Sequence, residues 1–390
     1  MPVDPSSPSF ATISWSESDT TRHALWHAEI LGQPPVRIIT ADDTLSADAA
    51  YRLVSQGTSL LWRGDFQNAR QLLQALARRI DHRPASKKHR KPDAKKAATT
   101  LDAFNRHRQQ QSQRAALLNR LLIELDAQAG IALRRAPDAR TACLEAVGEA
   151  DGPFLLPLRT LQGFIGAHEW RKKGVTAAGL PEKIHVHYGV FSPNRGEYLD
   201  LVAQAPLPAT RLAFDIGTGS GVLAALLAQR GVRKIVATDV DTRALACARE
   251  NIDRLGLGDT ITLEQTDLFP NGKSPLIVCN PPWLPARPST AIENAIYDPQ
   301  NRMLLGYLQG LATHLEADGE GWLIMSDLAE HLGLRGPDFL PQAIADAGLR
   351  IIEQHTARPS HPKAADPTDP LHFARQAEVT SLWRLGLQAP

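Results

Sequence analysis

The chain has 390 residues, of which 43% are hydrophobic, so it is long and apolar enough to bury a full core and to form two or more domains. Its net charge of +1 argues against a uniformly basic, nucleic-acid-binding coat. Its three cysteines show no CxxC or Cys/His spacing, which argues against a disulfide framework or a zinc site.

The N-terminal region, residues 1–125, is predicted to be mainly helical. Helical spacing of apolar residues extends over residues 46–55, 66–80 and 103–125. The first five residues do not resemble a signal peptide, and no apolar run is long enough to span a bilayer, so a cytoplasmic location is expected. Residues 126–180 carry a weaker pattern and are expected to form a connector or a degraded small domain.

A basic, polar segment at residues 83–98 interrupts the helical region and predicts a linker. From Asp81 to Leu125 there are eleven Lys/Arg and four Asp/Glu residues, giving 11 − 4 = +7 with histidine neutral. Such a segment is either a solvated tether or a grip for a phosphate backbone. Phe104 is its only aromatic residue, unlike the interleaved aromatics of single-strand binding platforms, and both interpretations stay open.

A glycine-rich turn follows a predicted strand in the C-terminal half. Residues 211–216 are apolar and strand-like, and residues 222–230 are good helix formers. Between them Gly217, Gly219 and Gly221 allow the backbone to approach a ligand closely. The turn is typical of a nucleotide-type cofactor site, although similar turns also occur without a ligand.

The residues around these glycines favour one cofactor class. In dinucleotide-binding loops a pyrophosphate lies at the helix N-terminus, and the third glycine comes one residue later than in this chain. The acid that precedes the glycines, Asp215, would repel a pyrophosphate but would attract the ammonium of an amino-acid-like cofactor. The loop therefore favours S-adenosylmethionine (SAM) over NAD.

Two further acids follow the next predicted strands. Asp239 ends the strand at 234–239, where a doubly wound sheet places a carboxylate against ribose hydroxyls. A helix at 242–255 and a strand near 260–265 lead to Asp267, which is expected to reach an adenine amino group. Each acid alone would be interpreted as a solvated loop residue, whereas three acids at successive strand ends together predict a cofactor site.

The sequence Asn280-Pro281-Pro282-Trp283 follows a short apolar run that predicts a buried strand at 275–279. The two prolines fix the backbone and remove two donors, so the turn is stiff and exposes carbonyl groups. The Asn280 side-chain oxygen and a proline carbonyl are suitable acceptors for both hydrogens of a planar amide or amino group. Trp283 offers a flat wall on which that group stacks. A rigid turn with a packed tryptophan is the structural alternative.

The C-terminal part predicts strands at 321–327, 349–354 and 377–385 and a helix at 340–347. The polar stretch 355–376 predicts a long loop that covers the pocket, and substrate gating by this loop is a further hypothesis. Its histidines have no metal-ligand spacing, so no metal is expected.

From about residue 181 to 385 the chain resembles a class I SAM-dependent methyltransferase. It is most similar to the HemK-like and small-domain methyltransferases, which modify amide or exocyclic amino nitrogens. The resemblance lies in the stretches 215–221, 237–239, 267–269 and 280–285, together with Ala244, Leu245 and Asn251. Upstream, residues 189–197 keep the family's Arg-x-Glu spacing at Arg195 and Glu197, and downstream residues 296–299 resemble its acid-proline stretch.

This resemblance implies an α/β fold with a seven-stranded, mostly parallel Rossmann-like sheet at residues 181–390, preceded by the helical N-terminal extension. It implies SAM contacts from the glycine loop and the strand ends: Asp215, Gly217, Thr218, Gly219, Gly221, Asp239, Asp267, Leu268 and Asn280. It implies catalytic roles for Asn280, Pro281, Pro282 and Trp283, and substrate contacts from Arg195 and Trp283.

The sequence thus predicts a SAM-dependent N-methyltransferase that acts on a macromolecule. Two acceptors stay open. The similarity of the core favours a protein glutamine, whereas the basic segment favours a nucleobase amine of RNA or DNA. Trp283 departs from the tyrosine usual in the glutamine-modifying branch. A catalytically silent SAM-fold module that binds RNA or a partner protein is the alternative from another class.

Overall fold

A computed structural model describes residues 10–82, 99–288, 293, 295–359 and 366–388. The chain divides into two compact units. The first comprises Met1–Ala97 and Arg106–Glu169, and the second comprises Ala98–Asn105 and Trp170–Pro390. The predicted basic linker at 83–98 lies outside the described residues.

The first unit contains a six-stranded mixed sheet. Its strands are β1 (Phe10–Glu17), β2 (Thr20–His27), β3 (Ile38–Ala41), β4 (Ser59–Trp62), β5 (Leu121–Leu125) and β6 (Phe154–Pro157). Their order across the sheet is β1-β2-β6-β5-β4-β3. The pairs β3–β4, β4–β5 and β2–β6 are parallel, whereas the pairs β1–β2 and β5–β6 are antiparallel.

Helices connect these strands. They are α1 (Ala28–Leu31), α2 (Ala47–Ser55), α3 (Phe66–Asp81), α4 (Thr100–Leu118), α5 (Arg140–Val147) and α6 (Leu158–Lys173). Capping by the sequence sets two of the starts, because Ser46 accepts a hydrogen bond from the Ala49 N–H and Asp65 accepts one from the Gln67 N–H.

The prediction of a mainly helical N-terminal region is therefore wrong. Residues 121–125, expected at the end of a long helix, form the buried strand β5, and residues 126–169 belong to the first unit instead of forming a connector. The strands are missed because short apolar runs such as 60–62 have no period that distinguishes a buried strand from a helical turn.

The second unit contains a seven-stranded, mostly parallel sheet. Its strands are β7 (Ala213–Ile216), β8 (Ile235–Asp239), β9 (Ile261–Gln265), β10 (Ser274–Cys279), β11 (Leu315–Ser326), β12 (Leu349–Ala357) and β13 (Thr380–Leu387). The order is β12-β13-β11-β10-β7-β8-β9. Strand β13 is antiparallel to both of its neighbours, and the other pairs are parallel.

The helices of the second unit are α7 (Glu197–Gln204), α8 (Val222–Gln229), α9 (Thr242–Arg254), α10 (Arg302–His314), α11 (Leu328–His331), α12 (Phe339–Asp346) and α13 (His372–Ala377). The apolar α8 is almost completely buried, and α9 buries one face, as its amphipathic sequence predicts. Buried residues of the described sheet lie in two clusters, one containing Val278 and the other Cys279, and a third cluster contains Leu284 and Leu328.

The polar loop predicted at 355–376 is only partly a loop. Strand β12 continues to Ala357, and His372 begins α13. Residues 360–365 lie outside the described residues. In the described parts of the chain, no helix combines the length and the apolar character that a membrane span requires.

Candidate cofactor and acceptor site

The predicted site residues meet at one edge of the seven-stranded sheet. The glycine loop follows β7, Asp239 ends β8, Asp267 follows β9 and Asn280 follows β10. Strands β10, β7, β8 and β9 are adjacent and parallel, so their carboxyl ends share that edge. A ligand site at the carboxyl ends, beside the reversal of strand order between β7 and β10, is the usual location in open α/β sheets.

The glycine loop has the backbone conformation that its sequence predicts. Gly217, Gly219 and Gly221 have φ values of 70°, 56° and 80°, a region that other residues rarely occupy. A Cβ atom on Gly217 would clash with Met303 Cε, whereas one on Gly219 would have no heavy atom within 4 Å. The loop is therefore packed on one side and open at Gly219, which leaves room for a ligand.

Asp215 is a buried acid with one unsatisfied oxygen. Its Oδ2 accepts hydrogen bonds from Thr218 Oγ1 at 2.6 Å and from the Ala224 N–H at 3.1 Å. Its Oδ1 is buried and has no hydrogen-bond partner among the described residues. Burial raises the pKa of this carboxyl to about 6, against the lowering effect of the Thr218 hydrogen bond. An acid in this state favours a ligand that brings a donor or a positive charge.

Asp239 joins the second strand to the glycine loop. Its Oδ2 accepts from the Gly219 N–H and its Oδ1 from the Asp241 N–H, both at 3.0 Å. Burial raises the pKa of this carboxyl, while these backbone bonds oppose the rise. Because each carboxylate oxygen retains a second lone pair, Asp239 can hold the loop and still accept hydrogen bonds from a diol.

Asp267 and Leu268 lie at the end of the third strand. The Asp267 carboxylate is exposed and forms an ion pair with Arg302 Nη2 at 2.7 Å. Leu268 has a φ of 72°, which is strained for a leucine, and its carbonyl accepts from Thr238 Oγ1 at 2.6 Å. Strain of this kind is found where a backbone position is fixed for a function.

Residues 280–283, the predicted acceptor turn, are held by an internal hydrogen bond. Trp283 Nε1 donates to Asn280 Oδ1 at 3.0 Å. Pro281 is buried, while Asn280, Pro282 and Trp283 keep part of their surface accessible. The indole bond uses one lone pair of the amide oxygen and leaves the second for another donor. The side chains of Asn280 and Trp283 are thus held together by this bond.

Arg195 lies against the indole of Trp283. Its Cζ atom is 5.0 Å from the ring centroid, a cation–π distance. Its Nε donates to Glu197 Oε1 at 2.8 Å, and its Nη1 donates to Glu378 Oε1 at 3.0 Å. The buried Nη2 has no partner among the described residues.

Sequence reasoning missed the buried polar groups behind this arginine. Glu378 accepts a second hydrogen bond, from Ser326 Oγ at 2.6 Å. Ser326 ends β11 and Glu378 precedes β13, so no local pattern links them to Arg195. A serine and an acid beside predicted strand ends were the available signal in the sequence. Neither residue has a fixed sequence distance from Arg195, so the pattern does not identify their partner.

Asn251, one of the residues that carry the resemblance, ties the upstream segment to the loop. Its Oδ1 accepts from the His185 N–H at 2.8 Å, and its Nδ2 donates to the Ser220 carbonyl at 3.0 Å. Since Asn251 is buried on α9, it fixes the glycine loop from behind.

The stretch after the acceptor turn folds back onto it. The Asp298 N–H donates to the Leu284 carbonyl at 2.8 Å, and Leu284 forms a bridge with Tyr297. The Asp298 carboxylate accepts from the N–H groups of Met303 and Leu304, both at 3.0 Å. These bonds place the start of α10 over the glycine loop, where Met303 meets Gly217. No cluster of metal-ligating side chains occurs within the described part of the chain.

Comparison with known proteins finds similarity in this region. Residues 182–327 match the family model of the methyltransferase small domain. The tRNA1(Val) (adenine(37)-N6)-methyltransferase of Shewanella loihica is 36% identical over 99 residues, which are 23% of this chain and 41% of the relative. The ribosomal protein uL3 glutamine methyltransferase of Bordetella pertussis is 33% identical over 150 residues, 35% of this chain and 50% of the relative.

Among solved structures, a ribosomal protein L11 methylase from Lactobacillus delbrueckii subsp. bulgaricus is similar with a TM-score of 0.38 and 21% identity. The match covers 53% of this chain and 86% of that chain. The chain spans half or less of the length of the two curated relatives. The first unit lies outside the segment that matches the family model.

Proposed function

We propose that the protein is a SAM-dependent N-methyltransferase, because residues 182–327 match the family model of the methyltransferase small domain. Its acceptor is a planar amide or amino nitrogen of a macromolecule. The observation that carries this proposal is the hydrogen bond from Trp283 to Asn280, which presets an acceptor cradle at the strand end adjacent to the glycine loop.

The glycine-loop side of the site fits the cofactor. Asp215 supplies a buried, unsatisfied oxygen for the ammonium of the methionine part, and the open face at Gly219 admits the ligand to the backbone. Asp239 accepts from the ribose hydroxyls, and Asp267 with Leu268 borders the adenine. When bound, SAM supplies an electrophilic methyl group on a sulfonium, so the transfer requires positioning more than a strong base.

The acceptor side orients the nitrogen. Asn280 Oδ1, through its second lone pair, and the Pro281 carbonyl accept the two N–H hydrogens and turn the nitrogen lone pair toward the methyl group. Pro282 keeps the turn rigid, and Trp283 stacks on the planar group. Arg195 Nη2, buried beside Trp283, is a donor for a carbonyl or ring nitrogen of the acceptor.

Two acceptor classes fit this cradle, and the relatives include one of each, a tRNA adenine and a protein glutamine methyltransferase. The wide indole surface favours a nucleobase, because stacking on an aromatic side chain contributes about 1–3 kcal/mol per base. The glutamine alternative is supported by the longer matched segment in the uL3-modifying relative.

The experiment has two steps. Calorimetry of the purified chain with SAM and with its demethylated product tests cofactor binding, and absence of heat from both would overturn the proposal. Incubation with radiolabelled SAM and a lysate that lacks this enzyme, followed by separation of RNA from protein, then identifies the acceptor class. We expect label in one fraction, and no label with the Asn280→Ala variant.

A further inference from the structure

We propose that Glu378 and Glu197 are positioning residues, which hold Arg195 over the ring of Trp283 and thereby fix the indole that hydrogen-bonds to Asn280. This inference rests on the proposed function, since Asn280 and Trp283 form the acceptor side of that site. It adds two acids outside the acceptor turn to the residues that the reaction needs.

The orientation of Arg195 is determined from two edges of its guanidinium. Nε donates to Glu197 and Nη1 to Glu378, while Cζ lies over the Trp283 ring, 5.0 Å from its centroid. A guanidinium is planar, so two bonds in its plane fix the direction of its face. A lysine at position 195 would keep the charge but would have no plane to lay on the ring.

The two acids are themselves immobilised by the sheet. Glu378 and Glu197 are 2% and 6% exposed. Ser326 Oγ donates to Glu378 and accepts from the Leu328 N–H at 3.1 Å, and Ser326 pairs with Thr380 in the register of β11 and β13. Thr380 Oγ1 lies 3.5 Å from Glu197 Oε1. The position of Arg195 therefore depends, through these hydrogen bonds, on the paired ends of β11 and β13 at Ser326 and Thr380.

The charges of the network explain why Arg195 stays in place. Two buried carboxylates share one guanidinium, and separation of either acid from Arg195 would leave a buried charge without its cation. The indole, by contrast, has a single polar bond, to Asn280. Trp283 also packs against both hydrophobic clusters of the sheet, so loss of the guanidinium removes one of several contacts that hold its rotamer. The bond to Asn280 would then open more often.

The indole N–H of Trp283 provides the test. The chain has seven tryptophans, so a 15N-labelled sample of the full chain gives seven indole N–H signals, and Trp283→Phe identifies one of them by its loss. In Glu378→Gln we expect that N–H to exchange with solvent roughly tenfold faster, the factor that corresponds to loss of about one hydrogen bond. Arg195→Lys should have the same effect, and the other indole signals should be unchanged in both variants.

A matched control lies in the same sheet. Glu320 accepts from Trp322 Nε1 at 2.8 Å and from Arg384 Nη2 at 2.7 Å, a second Arg–Glu–Trp group. Glu320→Gln should change the Trp322 signal and leave that of Trp283 as it is. If Glu378→Gln and Arg195→Lys both leave Trp283 exchange unchanged, the positioning role is overturned.

A kinetic measurement separates positioning from simple structural support. We expect Glu378→Gln to lower kcat and to leave the affinity for SAM, measured by calorimetry, unchanged. A parallel loss of SAM affinity would contradict the role. The exchange measurement needs no acceptor and no SAM, so its failure can be distinguished from failure of the proposed function, which is tested by SAM binding to the parent chain.

Discussion

Two buried acids, Asp65 in the first unit and Asp215 in the second, have opposite environments. In the first, Asp65 is 2% exposed, and its Oδ2 accepts from Arg134 Nε and Arg135 Nε, both at 2.8 Å. These bonds, that from Arg135 above all, hold the pKa of Asp65 at about 2. In the second, Asp215 is fully buried, forms no ion pair with any described residue, and has its pKa raised to about 6 by burial.

The difference separates acids that stabilise the fold from an acid available to a ligand. A second group of ion pairs between arginine and acids occurs in the first unit, where Arg63 pairs with Glu17 and Glu124. Each of these carboxylates has its cation within the chain. Asp215 has none, and its free oxygen lies at the sheet edge where the glycine loop opens. A perturbed, unpaired acid in such a position is typical of a functional site.

The largest effect on stability is expected from Phe104, which belongs to the second unit although residues on both sides of its short segment belong to the first. Phe104 is 3% exposed and packs in a cluster with Leu284 and Leu328, beside the acceptor turn. We expect Phe104→Ala to destabilise the second unit by about 3–5 kcal/mol, because it leaves a cavity. Urea unfolding followed by near-UV circular dichroism measures this loss.

The matched control for Phe104 is Leu101→Ala on the same helix, where the side chain is 37% exposed. It should change the free energy of unfolding by about 0.5 kcal/mol or less. Equal losses for the two variants would show that the cluster does not depend on Phe104.

A substitution at Asn280 should lower the catalytic rate, whereas a similar substitution in the first unit should not. We expect Asn280→Ala to lower turnover about a hundredfold or more, since removal of one preorganised hydrogen-bonding group costs about 2.7–4 kcal/mol. Affinity for SAM should stay as in the parent. The control is Asn68→Ala in the first unit, where the amide donates to Asp43, and turnover should be unchanged. If Asn280→Ala reduced SAM affinity and turnover equally, Asn280 would shape the fold and not the acceptor.

The contribution of Asp215 to the free energy of unfolding should depend on pH in a way that distinguishes it from Asp65. Its folded pKa of about 6 lies above the unfolded value of about 3.9, so the folded state retains a proton that the unfolded chain releases. Its contribution to stability therefore falls as the pH rises from about 4 through 6, by on the order of 3 kcal/mol. The difference in unfolding free energy between the parent and Asp215→Asn, measured at pH 4.5 and 7.5, should shift in that direction. A constant difference would disprove the assignment.

Asp65 should show the opposite and smaller dependence. Its folded pKa of about 2 lies below the unfolded value, so its stabilising contribution is present above about pH 4 and is lost as the pH falls toward 2. In Asp65→Asn that part of the acid destabilisation should disappear, as followed by circular dichroism during acid titration. Destabilisation that is stronger at pH 7 in the Asp215→Asn variant than in Asp65→Asn would contradict the comparison.

The sequence by itself determined most of the second unit. The helix expected at 242–255 is found at Thr242–Arg254, and the strand expected near 260–265 is found at Ile261–Gln265. The alternate glycines have the positive φ values that their spacing predicts. These features are local, because a helical or strand period and the conformational freedom of glycine are properties of a few consecutive residues.

Tertiary structure alone decided the sheet of the first unit and the environment of the acceptor turn. Short, mostly apolar runs, such as 59–62 and 121–125, become strands only because neighbouring strands satisfy their backbone groups. Arg195 meets Glu378 across 183 positions of sequence, and no local period encodes such a contact. Even the bond between Asn280 and Trp283, three residues apart, depends on a tryptophan rotamer, which we infer to be fixed by packing against Arg195.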